Sequence, residues 1–570
     1  MITRRDFLQV AAATAAVTGL GGDLRRAAAH QSIRQDDLLR FDAKGQFTIL
    51  HMADTHAQLR PIYFREPSLN LGVGEARGRL PHITGTELLS TLAIQEDSAH
   101  AYMLSSDDYE AMAKTYGRVG GMDRIATLVA AIRAERGADR VLLLDGGDTL
   151  QGSFTALATR GGDMISVMQA LGVDATTGHW EFTLGASRIA ELYGDVSKPG
   201  SAGLAFLANN VRDNDFMDPV FSSGRRFEMG GVSVMVIGQA FPYTAIANPR
   251  WMMPQWSFSI REGEMRRSVA AARAEGAQVV VLLSHNGFDV DAKLAARVPG
   301  IDIILTGHTH DALPKPVRVG NTLLIASGSH GKFLSRLDVE VSGGRVSDVS
   351  FGLIPVLSDA IAPDPAMRDL IAAIRAPHEA MLATELARTE GLLYRRGTFG
   401  GTLDDLICDA LLSQRDAQIA LSPGFRWGGT LVPGQPVTWD DVYNATAITY
   451  PAAYRVKMTG QMLKAILEDV ADNLFNPDPY YQQGGDMVRV GGMGYTINVD
   501  GAMGKRIANL QLLGSGAPIE AEKEYIVAGW GSVNRDVQGP PIWDVVAAHL
   551  TSRPVLSPQP RKSVKIVRAN

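Results

Sequence analysis

The chain has 570 residues, 45% of them hydrophobic and 20% charged, with a formal net charge of −6. That length implies two or more domains, each burying its own core, and the acidic balance excludes a scaffold that holds nucleic acid on a basic surface. The single cysteine, Cys408, excludes an intrachain disulfide; its helical-looking surroundings, LDDLICDALL, predict a buried thiol.

In chain order, the N-terminus comes first. The stretch MITRRDFLQVAAATAAVTGLGGDLRRAAA pairs Arg4 with Arg5, follows them with Phe7 and Leu8, and continues as a weakly apolar Ala/Gly segment. Residues 1–29 read as a twin-arginine export signal, outside the fold. The mature chain is therefore expected in the periplasm, exported already folded. No other apolar run reaches 18 residues, so no membrane span and no membrane partner are expected. A monomer is the expected state.

Residues 44–357 alternate apolar strand-like runs with longer helical runs, the pattern of a layered α/β domain. Five of the strand-like runs end in the same way. FTILHM (47–52) leads to Asp54 and His56; RVLLLD (140–145) leads to Asp148; VDATTG (173–178) delivers His179; AQVVVLLS (277–284) delivers His285; IDIILTG (301–307) delivers His308 and His310. Sites in α/β sheets form where loops leave the carboxyl ends of strands, and two Asp with five His suit divalent metals of nitrogen and oxygen preference. Seven ligands exceed what one ion uses, which points to two ions sharing one carboxylate. The grouping expected is Asp54, His56, Asp148 and His310 for one ion, and Asp148, His179, His285 and His308 for the other. His308 and His310, two apart on an extended chain, are expected to face one pocket. His330, in SGSHGK after another strand, is a candidate supporting residue behind the ligands.

Residues 60–116 contain an irregular Pro- and Gly-containing stretch (61–85) and are expected to wall the site. GGMDRIATLVAAIRAE (120–135) predicts a helix opened by glycine. DPAMRDLIAAIRAPHEAMLATELA (364–387) predicts one long amphipathic helix with a pause at Pro377, within a linker spanning 358–387. Residues 388–570 mix strands and helices as a second domain.

The motifs ILHMADTHAQL, GGDTLQGS, VVLLSHNG and LTGHTHD resemble the calcineurin-like metallophosphoesterases, in their 5′-nucleotidase branch. GFRWGG (424–429) and YTINVDGAMGKRI (495–507) resemble that branch's second domain. The resemblance implies an α/β fold: a metallophosphoesterase-type β-sandwich flanked by helices over 44–357, plus a smaller mixed α/β nucleotidase-type domain over 388–570. It also implies substrate-gripping arginines at Arg426 and at Arg395 or Arg396.

Two departures stand out. The branch's third motif, Gly-Asn-His-Glu, supplies a ligand Asn and a general-acid His; here the same places hold Gly178, His179, Trp180 and Glu181. The branch stacks a nucleobase between two Phe; here those places hold Ala452 and Met487. This combination is similar to the SoxB sulfate thiohydrolases. That resemblance implies two manganese ions, with zinc or another divalent ion as the alternative. It implies a SoxYZ-type carrier protein as partner, bearing a sulfonated cysteine, and attack on the terminal sulfur by hydroxide held at Asp148 between the metals. A sulfur leaving group needs little help from an acid, so Trp180 is expected to shape the entrance instead. The alternative enzyme is a periplasmic 5′-nucleotidase or 2′,3′-cyclic phosphodiesterase; the non-enzymatic alternative is a carrier-docking subunit.

Overall fold

A computed structural model describes residues 33–194 and 204–568. The signal segment 1–29 lies outside the described residues. In chain order the strands of the first half's two large sheets are β1 (Phe47–Met52), β2 (Val141–Asp145), β3 (Ala175–Thr176), β4 (Ala205–Phe206), β5 (Gly224–Met229), β6 (Val232–Gln239), β7 (Val279–Ser284), β8 (Ile303–Thr306), β9 (Val317–Val319), β10 (Thr322–Ala326), β11 (Phe333–Ser342) and β12 (Arg345–Pro355). They form two six-stranded sheets, ordered β12-β11-β1-β2-β3-β4 and β9-β10-β8-β7-β6-β5.

The register explains the layering. β1 to β4 run parallel, as do β6, β7, β8 and β10, and successive side chains of a strand point to opposite faces. Phe47, Ile49, Leu142 and Leu144 of one sheet therefore meet Val234, Val236, Val281, Leu283 and Leu305 of the other in one buried cluster. The outer-facing alternates, Leu50, Met52 and Leu143, pack on Ile125, Leu128 and Ile132 of the helix Met122–Arg136. On the other side Val280, Leu282 and Ile304 pack on Met265 and Val269 of Glu262–Ala274 and on Leu294 of Phe288–Arg297. The result is an α/β sandwich of two facing sheets with helices outside each.

The second half carries a four-stranded sheet (454–459, 524–529, 419–422, 489–491) and two three-stranded sheets. The helices Thr402–Gln414 and Ile542–Thr551 cover it, and Cys408 is buried among them as a free thiol.

Several sequence expectations are corrected. The predicted strand at 173–178 is only Ala175–Thr176. The long helix over 364–387 is instead Pro365–Arg375, capped by Asp364, then a four-residue turn of helix, Glu379–Leu382, and a strand from Glu385 to Thr389. Pro377 has no N–H to donate to a carbonyl four residues back, so the helix ends before it. Residues 60–116 hold three short helices, Gly85–Thr91, Ala99–Leu104 and Tyr109–Tyr116, packed against Phe333 and Leu353. Lys332 pins this segment, donating to Glu66 and to the Met103 carbonyl.

Candidate metal centre

The carboxyl ends of β1, β2, β3, β7 and β8 all open at the same end of the two sheets. The structure brings the seven residues named from the sequence together there. Ligand atoms of Asp148, His179, His285 and His308 lie within 4.8 Å of one another, as do those of Asp54, His56, Asp148 and His310, so Asp148 belongs to both groups. All seven are buried.

Local backbone shape does this. Asp54, His56, Asp148, His308, His310 and His330 all have positive φ, from +46° to +75°. Non-glycine residues adopt that region at a cost of about 1–3 kcal/mol each, and such strain persists where a site demands it. The expectation that His308 and His310 sit on extended chain is therefore wrong; they share a pocket because left-handed turns aim both rings inward. Gly307 is required beside them, since a Cβ there would lie 3.0 Å from His285 Nδ1.

Second contacts settle which ring nitrogen faces the centre. His285 Nδ1 is 2.6 Å from the Gly146 carbonyl and His56 Nδ1 is 3.3 Å from that of Gln151, so each donates there and turns Nε2 inward. His308 Nε2 lies 2.9 Å from the Gln483 carbonyl, leaving Nδ1 inward. His179 Nδ1 is 3.2 Å and His285 Nε2 3.1 Å from Asp148 Oδ2. Glu181, fully buried, accepts the backbone N–H groups of His179 and Thr149 at 2.8 and 2.7 Å and so ties the two ligand turns together.

The electrostatics fit a cation. Burial alone would lower the His285 pKa, but Asp148 and Asp54 outweigh it and raise it to about 10. Burial lowers His56 to about 4. Burial raises Asp54 well above the usual carboxylate range, whereas the His179 and His285 rings hold Asp148 well below it despite burial. His310 Nδ1 has no hydrogen-bond partner though buried, and His56 Nε2 faces His310 Nε2 at 3.0 Å. Metal bonds of about 2.0–2.2 Å place neighbouring ligand atoms roughly 3 Å apart. Oxygen and nitrogen donors at that spacing suit two divalent ions.

The centre floors a cavity of about 250 Å³ between the two halves of the chain. Trp180 forms its wall and not its entrance: it is 5% exposed and packs edge-on against Phe425 and Trp427, at 5.1 and 5.0 Å between ring centroids. Phe425 stacks on Trp427 at 4.3 Å. Gln483, Gly484, Gly485 and Asp486 also line it, tied to the neighbouring Gly424–Arg426 stretch by the Asp486 N–H to the Gly424 carbonyl, and Phe241 adds a further ring. Met487 is buried in a separate core, and Ala452 bridges to Pro541.

The three arginines differ. Arg426 lines the cavity, yet its donors already meet Asp486 at 3.1 Å and the carbonyls of Thr309 and Gly485 at 2.8 and 2.5 Å. Arg395 is sealed in the core, bonded to Asp404 and the Ala445 carbonyl. Arg396 lines a small cavity that reaches His310, and its buried Nε has no partner. His330 stands behind the ligands, 5.5 Å from the His56 ring, and its Nε2 takes the Gly428 N–H at 3.3 Å. Sequence reasoning missed Phe241, which packs on His179 and His308 at 4.2 and 4.0 Å, and also Asn248 and Tyr450. FPYTAIAN carries no motif that would have marked Phe241 or Asn248, nor does ATAITYP for Tyr450.

Fold and centre together define a metal-dependent hydrolase of the metallophosphoesterase fold, and comparison with known proteins narrows the class. Residues 386–533 match the 5′-nucleotidase C-terminal domain. Residues 1–21 match the twin-arginine translocation pathway signal sequence, which marks export to the periplasm. No helix among the described residues is long and apolar enough to cross a membrane. Bovine 5′-nucleotidase (Bos taurus) is 25% identical over 463 residues, covering 72% of this chain and 76% of that protein. A 5′-nucleotidase precursor from Thermus thermophilus shares the fold at 21% identity and TM-score 0.70, over 91% of this chain and 99% of that one. The sulfate thiohydrolase SoxB of Thermus thermophilus, solved with glycerol, is 36% identical with TM-score 0.89, covering 93% of this chain and 98% of that one. The chain belongs to the SoxB sulfate thiohydrolase family.

Proposed function

We propose that the protein hydrolyses a cysteine-bound S-sulfonate on a SoxYZ-type carrier, releasing sulfate during periplasmic thiosulfate oxidation, with two manganese ions held by the seven ligands. The observation that carries the reading is Trp180 standing beside a two-ion donor set where a nucleotidase would hold its proton donor. Water's oxygen joins the sulfonate sulfur, the S–S bond breaks, and the carrier's sulfur leaves with the electron pair. When bound, the two ions supply Lewis acidity that acidifies a water and draws charge from the sulfonate oxygens.

The chain's own residues do the rest. Asp148 shares its carboxylate between both groups of ligands. Arg396, with a free buried donor, grips the anion, while Arg426 holds the 483–486 wall in place through Asp486 and Gly485. Trp180 and Phe425 keep water from the leaving sulfur. A thiolate is a far weaker base than an alkoxide, so the roughly 10²–10⁴-fold usually gained from general acid catalysis is not needed. On this reading residues 44–357 carry the chemistry, residues 388–570 bind the carrier's arm, and the protein works as a monomer. Ala452 and Met487 stand where the nucleotidase branch clamps its base between two Phe, and Phe425 is already stacked on Trp427, which disfavours the nucleotidase alternative. Sulfate release from sulfonated carrier, with phosphate release from AMP as the comparison, tests the assignment.

A further inference from the structure

We infer that Asn248, held by Tyr450, is the positioning residue that sets His179 as a metal ligand, and that its carboxamide turns over when the ion binds. The inference rests on the two-ion reading of the centre.

His179 has two engaged nitrogens. Nδ1 lies 3.2 Å from Asp148 Oδ2, and Nε2 lies 3.1 Å from Asn248 Nδ2. The Tyr450 hydroxyl donates to Asn248 Oδ1 at 3.1 Å. Asn248 is 1% and Tyr450 8% exposed, so water does not compete for these contacts. With Nδ2 donating to Nε2, the imidazole hydrogen sits on Nδ1, towards Asp148. A cation on Nδ1 requires the opposite tautomer, with its hydrogen on Nε2 and an acceptor facing it.

Asn248 can supply that acceptor without moving its backbone. Half a turn of the carboxamide puts Oδ1 against Nε2 and Nδ2 against Tyr450. A hydroxyl both donates and accepts, so Tyr450 changes role and both hydrogen bonds of Asn248 are kept. Trp180 completes the arrangement. Its ring lies nearly parallel to Tyr450, 12° apart in plane and 5.9 Å between centroids. The indole that follows His179 thus buttresses the phenol that holds the amide that orients His179.

The chain also crosses the molecule. His179 and Asn248 come from the first half, Tyr450 from the segment matching the 5′-nucleotidase C-terminal domain. Loading of the centre is thereby tied to the seating of the second half.

The test is calorimetric titration of the metal-stripped mature chain with Mn²⁺, alongside metal analysis. Asn248→Ala is expected to weaken uptake of the second equivalent about 10–100-fold, while Asn248→Asp, which can only accept, keeps the affinity within about threefold of the parent. In a His179→Asn background the Asn248→Ala loss should shrink below about threefold, because the two act as one unit. Unchanged binding by Asn248→Ala overturns the inference. So does an equal loss in both backgrounds, and so does an Asn248→Asp protein that melts normally yet binds as weakly as Asn248→Ala. A parent chain that takes up fewer than two equivalents overturns the two-ion reading itself, a different failure from the other three.

Discussion

His285 Nε2 stands 3.1 Å from Asp148 Oδ2 while its Nδ1 is anchored on the Gly146 carbonyl. The imidazole cannot turn away, and Asp148 is the one carboxylate common to both ligand groups. Asp148→Asn is therefore expected to lose both ions together, where loss of an outer ligand removes one. Activity should fall at least about a thousandfold, some 4 kcal/mol of barrier, with metal content read by elemental analysis on the same sample.

Trp180 fills space between Phe425, Trp427 and Tyr450. Trp180→His restores the proton donor of the nucleotidases but leaves a cavity, at a cost of about 2–4 kcal/mol. The expected outcome is a lower melting temperature with no gain in sulfate release. A tenfold gain would show that the leaving sulfur does need a proton.

Arg395 and Arg396 are neighbours in sequence with different work. Arg395→Ala removes one of the two arginines on buried Asp404, leaving Arg489 at 3.2 Å, and should destabilise the fold by about 1–3 kcal/mol in urea titration. Arg396→Ala should leave the urea midpoint near that of the parent and raise KM for the sulfonated substrate roughly tenfold, the loss of about one charged hydrogen bond.

His51 lies in β1 with no exposure, its Nδ1 on Ser327 Oγ at 2.6 Å, and burial lowers its pKa to about 3. The unfolded chain takes up this proton below about pH 6.5, the folded chain only near 3. Stability from this group is thus present above the unfolded value and drains away as pH falls from about 6.5 towards 3. Between pH 7 and pH 5, the unfolding free energy of the parent from urea titration should fall relative to that of His51→Gln by about 2 kcal/mol; parallel curves would contradict the assignment.

Much of the fold and centre was legible in the sequence because strand ends and metal chemistry use local, repeated signals. Asp54, Asp148, His285 and His310 each follow an apolar run that the structure shows as a strand. The left-handed backbone at Asp54, Asp148 and His310 was not legible, since Asp and His carry no side-chain signal for it comparable to glycine. Nor were Phe241 and Asn248, which reach His179 from 62 and 69 positions away, or Tyr450, which reaches Asn248 only after both halves have packed. The linker failed for a simpler reason: an amphipathic pattern continues across Pro377, but backbone hydrogen bonding does not.

The most direct measurement follows sulfate and phosphate release by the metal-loaded mature chain, given a carrier bearing an S-sulfonated cysteine or AMP, with and without a chelator. The account predicts one sulfate per sulfonated carrier, loss of that release on chelation, and AMP turnover at least about a hundredfold slower, a difference near 2.7 kcal/mol. Faster phosphate release from AMP, or sulfate release that survives complete metal removal, would contradict it.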